Sequence, residues 1–148
     1  MIMKTTIFLS LAMAICLISS TQKSFGQIEG AWRLVYLKAY TGDSLLYEFP
    51  SKTTTINQIK MWSKDHFMFV GQYLSDTVID DAYGAGTYSL KGKAYEEQIL
   101  YHSTIDWIGT SIKMYLEIKK DTLIQIFPVN DQGEVVTNYH AIEKYIRY

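Results

Sequence analysis

Beyond residue 27, apolar and polar residues alternate with a period of two in one segment after another, and turn-forming residues separate the segments. That alternation restricts the fold more than any other feature. Successive side chains of a strand point to opposite faces, whereas a helix repeats every 3.6 residues. No stretch after Gln27 keeps an i, i+3, i+4, i+7 apolar pattern for more than two turns. Eight period-two segments are legible: residues 31–40, 53–63, 66–73, 83–90, 93–102, 110–118, 122–127 and 139–147. The full chain holds twelve Tyr, six Phe and three Trp with many Ile, Val and Thr, residue types that favour a pleated backbone.

The breaks carry turn chemistry. Lys91-Gly92 and Lys64-Asp65 read as two-residue turns, Lys119-Lys120-Asp121 as a three-residue turn, and Asn130-Asp131-Gln132-Gly133 as a wider loop. Pro50 and Pro128 fall outside strand interiors. Short connections make an antiparallel meander, and closing a meander into a barrel removes both of its open edges. A two-sheet Greek-key sandwich needs long crossovers, and only residues 41–52 and 74–82 are long enough. The expected fold is therefore all-β, an eight-stranded antiparallel up-and-down barrel. Its interior is either filled by side chains or holds one small ligand.

The first 26 residues read differently. Lys4 precedes an apolar run over residues 7–18, broken only by Ser10. Twelve helical residues rise roughly 18 Å, short of the roughly 30 Å hydrocarbon core of a bilayer. With Ser24 and Gly26 as small residues before the cut, the pattern is a secretory signal peptide cleaved before Gln27. Ile15 precedes Cys16 where a lipoprotein signal wants a small residue, so no lipid anchor is expected. The remainder, residues 27–148, then forms one domain without cysteine, exported to the periplasm or the exterior and stabilised by a packed core. A net charge of −1 lacks the basic excess of a nucleic-acid binder, and no transmembrane segment is expected after signal removal.

Two groups of residues resemble a known family. Gly30-Ala31-Trp32 opens the first strand, and Gly-x-Trp at that place resembles the opening motif of lipocalins and their calycin relatives. The resemblance implies that Trp32 closes the barrel floor and that a basic residue of the last strand, here Arg147, packs over it. Further along stand Ile59-Lys60-Met61, Asp65-His66-Phe67-Met68-Phe69-Val70, Gly84-Ala85-Gly86-Thr87-Tyr88-Ser89-Leu90-Lys91-Gly92 and Tyr95-Glu96-Glu97-Gln98-Ile99. Their order is similar to that of a bacterial family of small secreted lipocalin-like domains of unestablished activity, over residues 30–148. Tyr145 stands where such relatives tend to carry Trp, and Asp121-Thr122-Leu123-Ile124 lacks an aromatic pair. The resemblance implies a calycin-like barrel and a hydrophobic-ligand role.

Alternation from Trp32 places Leu34 and Tyr36 inward. Phe67 and Phe69 share the inward face of their segment, as do Gly86, Tyr88 and Leu90, then Tyr95, Glu97, Ile99 and Tyr101, then Ile112, Met114, Leu116 and Ile118. The expected ligand-binding set is Tyr36, Phe67, Phe69, Tyr88, Tyr95, Glu97, Tyr101 and Met114, with Gly30, Trp32 and Arg147 as structural residues. Glu96 must point away from Glu97, so the two are no acid/base pair on one face. An inward Glu97 needs a partner or its pKa rises. Arg147, Arg33, Lys60 or a tyrosine hydroxyl would supply one, and the alternative role is to orient a ligand.

His66, His102 and His140 have no metal-ligand spacing, so no metal is expected. Asp80-Asp81 reads as a solvated loop, Gly84-x-Gly86 is not a phosphate cradle, and no nucleophile elbow or catalytic Cys is present after residue 26. No cofactor is expected. Leu45, Leu46, Tyr47 and Phe49 make residues 41–52 an apolar loop that either covers the barrel end or forms a surface contact. The sequence thus points to a non-enzymatic exported barrel that holds a small hydrophobic or amphipathic ligand. The alternative is a filled barrel that acts through its loops.

Overall fold

A computed structural model describes residues 28–75 and 78–148. The signal peptide over residues 1–26, its cleavage before Gln27 and the reading of Cys16 lie outside the described residues. The strands are β1 (Gly30–Thr41), β2 (Ser44–Phe49), β3 (Thr55–Trp62), β4 (His66–Leu74), β5 (Ile79–Lys91), β6 (Ala94–His102), β7 (Ser111–Lys119), β8 (Thr122–Phe127) and β9 (His140–Arg147). A single 3-10 turn, Ile105–Trp107, joins β6 to β7.

From β3 to β9 each strand pairs antiparallel with the next. β9 then pairs with one edge of β1, from Trp32↔Arg147 to Tyr40↔His140, and the other edge of β1 meets β3 from Gly30↔Trp62 to Arg33↔Ile59. The eight expected segments thus close into a barrel. β2 is additional. It hairpins onto the upper part of β1, from Leu37↔Phe49 to Thr41↔Ser44, on the edge that β3 leaves uncovered. The apolar loop expected over residues 41–52 is therefore mostly a hairpin strand. Its residues through Glu48 are exposed, so no buried face imposed a pattern.

Turns set the registers. Gly92 has φ +63 and opens the Gly92-Lys93 turn between Lys91 and Ala94, one residue later than the sequence suggested. Lys120-Asp121 is a two-residue turn rather than a three-residue one, since Lys119 pairs with Thr122. The expected loop over residues 74–82 is mostly strand: Leu74 pairs with Ile79, so Asp80 and Asp81 belong to β5. Gln72 Nε2 donates to Asp81 Oδ1 at 2.9 Å across that pair, which keeps Asp81 on the outer wall.

Two bulges reverse the inside/outside phase. Between Leu34 and Tyr36, β1 carries one more residue than β9, so Leu34 faces Tyr145 but Tyr36 faces Lys144. Trp32 and Leu34 are buried before the bulge, and Leu37 and Ala39 after it. Tyr36 therefore lies on the outer wall, with Lys144 Nζ 4.4 Å from its ring centre, and the inward expectation for it is corrected. In β6, Ala85 pairs with Tyr101 and Gly86 with Ile99, which leaves Leu100 as the extra residue. Tyr101 is consequently 68% exposed, a second correction, and His102 takes the inward position.

The lower half of the barrel is packed. Trp32 is buried and its Nε1–H donates to Ile28 O at 2.8 Å. The Arg147 guanidinium lies 4.2 Å from the Trp32 ring centre and donates to Glu29 O. Gly30 has φ +111, and a Cβ there would meet Arg147 Nη1, so glycine at this position admits both the backbone and the arginine. Above this plug sit Phe67, Tyr88, Tyr95 and Leu116, all buried. Full burial of side chains such as Leu34, Leu37, Ile99 and Leu123 contributes about 1.5–3 kcal/mol each.

Candidate functional site

The upper half of the barrel is not filled. A cavity of about 170 Å³ opens between the strand ends that carry Tyr73, His102, Ile112 and Phe127. Larger hollows of about 440 and 860 Å³ also exist, but the first is floored by surface lysines and the 129–133 loop, and the second runs along the outer faces of β3, β4 and β5. Among these three, the 170 Å³ cavity is the one lined by Lys60, Glu97, Gln125 and Glu143, so it is the candidate site.

Its floor is built from inward positions of β3, β6, β8 and β9. In β3 the inward residues are Ile56, Gln58, Lys60 and Trp62, in β8 Leu123 and Gln125, and in β9 Ala141, Glu143 and Tyr145. Lys60 Nζ sits 2.6 Å from Glu97 Oε1, and their side chains are 5% and 3% exposed. The ammonium also donates to Gln125 Oε1 at 3.3 Å and lies 5.2 Å from the ring centres of both Trp62 and Phe67. Of the partners considered for Glu97, the structure uses Lys60 and a tyrosine together.

Two tyrosines relay hydrogen bonds into the two carboxyls. Trp62 Nε1 donates to Tyr95 OH, which donates to Glu97 Oε1, both at 2.7 Å. Gln58 Nε2 donates to Tyr145 OH at 2.9 Å, and Tyr145 OH donates to Glu143 Oε2 at 2.7 Å. Each relay occupies one oxygen of its carboxyl. Burial pushes the Glu143 carboxyl above the ordinary range. The Lys60 charge and the Tyr145 hydrogen bond oppose that shift, and the charge of Glu97 reinforces it. Burial likewise raises the Tyr95 and Tyr145 hydroxyls well above their usual value, so both remain protonated donors.

The mouth is aromatic. Phe69 and His102 meet edge to face at 5.8 Å, and His102 lies 6.0 Å from Trp107 of the 3-10 turn. His102 Nδ1 accepts from the Thr104 N–H at 2.9 Å, and burial lowers its pKa, so the ring is a neutral wall rather than a charge. Tyr47 of β2 completes the ring of side chains and approaches Tyr139 at 3.4 Å between hydroxyls. Gly84 and Gly86 face inward; a Cβ at Gly84 would strike the Phe69 ring, and one at Gly86 would strike the Gln98 carbonyl oxygen. Gly84 is therefore a clearance for Phe69, and Gly86 admits the close approach of the β6 backbone.

Of the sequence-derived set, Phe69, Glu97 and Met114 line the cavity. Phe67, Tyr88 and Tyr95 pack beneath or beside it, and Tyr36 and Tyr101 lie outside. Gly30, Trp32 and Arg147 meet at the closed end of the barrel. Sequence reasoning missed Gln58, Tyr73, His102, Gln125, Glu143 and Tyr145 as lining residues. The signal for four of them was present: Gln58 is in phase with Trp62, Gln125 with Leu123, and Glu143 and Tyr145 with each other. Among the described residues, no group of three or more His, Cys, Asp and Glu side chains is placed to hold a metal ion. No described helix is long and apolar enough to cross a membrane. No family model, no curated protein and no solved structure matches this chain.

Proposed function

We propose that the chain is an exported, non-enzymatic lipocalin-like barrel that holds a small amphipathic ligand in the upper half of its interior. The observation that carries this reading is the division of the interior. The lower half is packed, and the upper half keeps a cavity of about 170 Å³ with aromatic walls and a polar floor. The Trp32–Arg147 plug and the single-file barrel topology support the lipocalin-like part of the reading. Lys60 and Glu97 form an enclosed ion pair at 2.6 Å, a structural pairing that supports the non-enzymatic reading. Export rests on the leader-like pattern of residues 1–26.

Native mass spectrometry of the protein purified from its own host tests this reading. A retained small molecule, released on denaturation, is the expected result. A mass equal to that of the bare chain in every preparation contradicts it.

A second reading has its own observation. Leu46 of β2, Ile79 at the start of β5, and Ile105 and Ile108 between β6 and β7 are exposed, and exposed apolar side chains mark contact surfaces for a partner protein where they cluster. In that case the interior acts as scaffold and the loops carry the function.

A further inference from the structure

We infer that the cavity takes a small organic cation, a protonated amine on a compact aromatic or short aliphatic body, with its ammonium directed at Glu143 and Glu97. The inference rests on the ligand-binding reading above and names the ligand class. Three charged side chains reach the floor: Lys60, Glu97 and Glu143. The lysine is already engaged by Glu97 Oε1 and Gln125 Oε1 and is flanked by aromatic faces, so no unused cation greets an anionic headgroup.

The carboxyls are not used up. Glu143 is 8% exposed, and its only hydrogen bond among the described residues is the one Tyr145 makes to Oε2. Glu97 receives both of its contacts on Oε1. Among the described residues the one buried side-chain N or O atom without a partner is His140 Nδ1, so Glu143 Oε1 and Glu97 Oε2, which take none of these hydrogen bonds, open on the cavity, where a ligand donor can reach them. Lys60 pairs with Glu97 and leaves Glu143 without a cation of its own, so an ammonium supplies three donors and favours the charged form of that carboxyl, whereas a carboxylate ligand would bring a further uncompensated negative charge. The walls agree with the floor: Phe69, Tyr73 and Trp107 line the cavity, and aromatic rings favour a cation and an aromatic body alike. A volume of about 170 Å³ suits one ring and a short chain rather than a long acyl tail.

Isothermal titration calorimetry with 2-phenylethylamine, 2-phenylethanol and 3-phenylpropionate tests the headgroup with the body held constant. The amine is expected to bind at least about tenfold more tightly than the alcohol, with the carboxylate weakest. Glu143→Gln is expected to erase most of the amine's advantage. In the wild-type protein, nuclear Overhauser contacts from the aminomethylene protons to Tyr145 and Met114 locate the headgroup without reliance on a variant. An alcohol or carboxylate that binds as tightly as the amine overturns the cation inference and leaves the cavity reading standing. Amine binding without those contacts, or an amine preference unchanged by both Glu143→Gln and Glu97→Gln, also overturns it. Failure of all three compounds to saturate at millimolar concentration overturns the cavity reading itself.

Discussion

Lys60 Nζ lies 2.6 Å from Glu97 Oε1 with both side chains enclosed by the barrel, so each is the other's main compensation for leaving water. Lys60→Met leaves Glu97 buried and uncompensated and is expected to cost about 3–5 kcal/mol of unfolding free energy. Adding Glu97→Gln to that variant should recover part of the loss, because the stranded charge is gone. Urea denaturation of both variants measures this. A loss below about 1 kcal/mol for Lys60→Met would contradict the pairing.

The carboxyl of Glu143 gives the fold a pH signature. Its pKa is raised in the folded state, chiefly by burial. The folded state therefore binds this proton more tightly than the unfolded chain does. The resulting stability is fully present below the ordinary carboxylate pKa and is lost as pH rises through the folded value. Glu117 and Asp131, held low by Lys93 and Lys113, act in the opposite direction. The clean observable is thus a difference: the Tm of wild type relative to Glu143→Gln should fall as pH rises above about 4.5. A difference that is flat across that window contradicts the assignment.

At the closed end, Arg147 over Trp32 and the Trp32 hydrogen bond to Ile28 make one plug. Trp32→Ala should cost about 3–5 kcal/mol, and Arg147→Ala about 0.5–2 kcal/mol. Thermal or urea unfolding checks the order. An arginine loss that exceeds the tryptophan loss would show that the guanidinium has a larger role than stacking.

Lys120 is the one non-glycine residue with a positive φ, 55°, among the described residues. A side chain in the left-handed region crowds its own carbonyl, and glycine relieves this at some entropic cost. Lys120→Gly should therefore stabilise by a few tenths to about 1 kcal/mol. A destabilised variant in the same assay contradicts the strain at this turn. Gly86→Ala should do the reverse. Its Cβ would collide with the Gln98 carbonyl oxygen, which is backbone and has little freedom to move. A loss of about 1–3 kcal/mol is expected.

The strands were legible because hydrophobic alternation is written in side chains, and the Trp32–Arg147 contact was implied by the resemblance that Gly30-Ala31-Trp32 carries. All eight expected segments are strands, and the Phe67–Phe69 and Ile112–Met114–Leu116 faces point as alternation requires. Bulges carry no such mark. The extra residues Val35 and Leu100 are ordinary apolar strand residues, and nothing in them announces that Tyr36 and Tyr101 change sides. The polar floor was obscured for another reason. In β9 the outward positions are Ile142, Lys144 and Ile146, while the inward ones include Glu143 and Tyr145. A rule that sends apolar residues inside picks the wrong face there. The hydrogen-bond relays of this polar interior depend on strand register, which brings residues distant in sequence side by side.

The account turns on whether a ligand occupies the open upper half of the barrel. Chemical-shift mapping of the isotope-labelled protein during titration with 2-phenylethylamine tests this most directly. Saturable shifts clustered on Phe69, Tyr73, His102, Trp107 and Glu143 are the predicted result. Shifts confined to Ile59, Val70 and Tyr83 on the outer wall, or no saturable shifts anywhere, would contradict it.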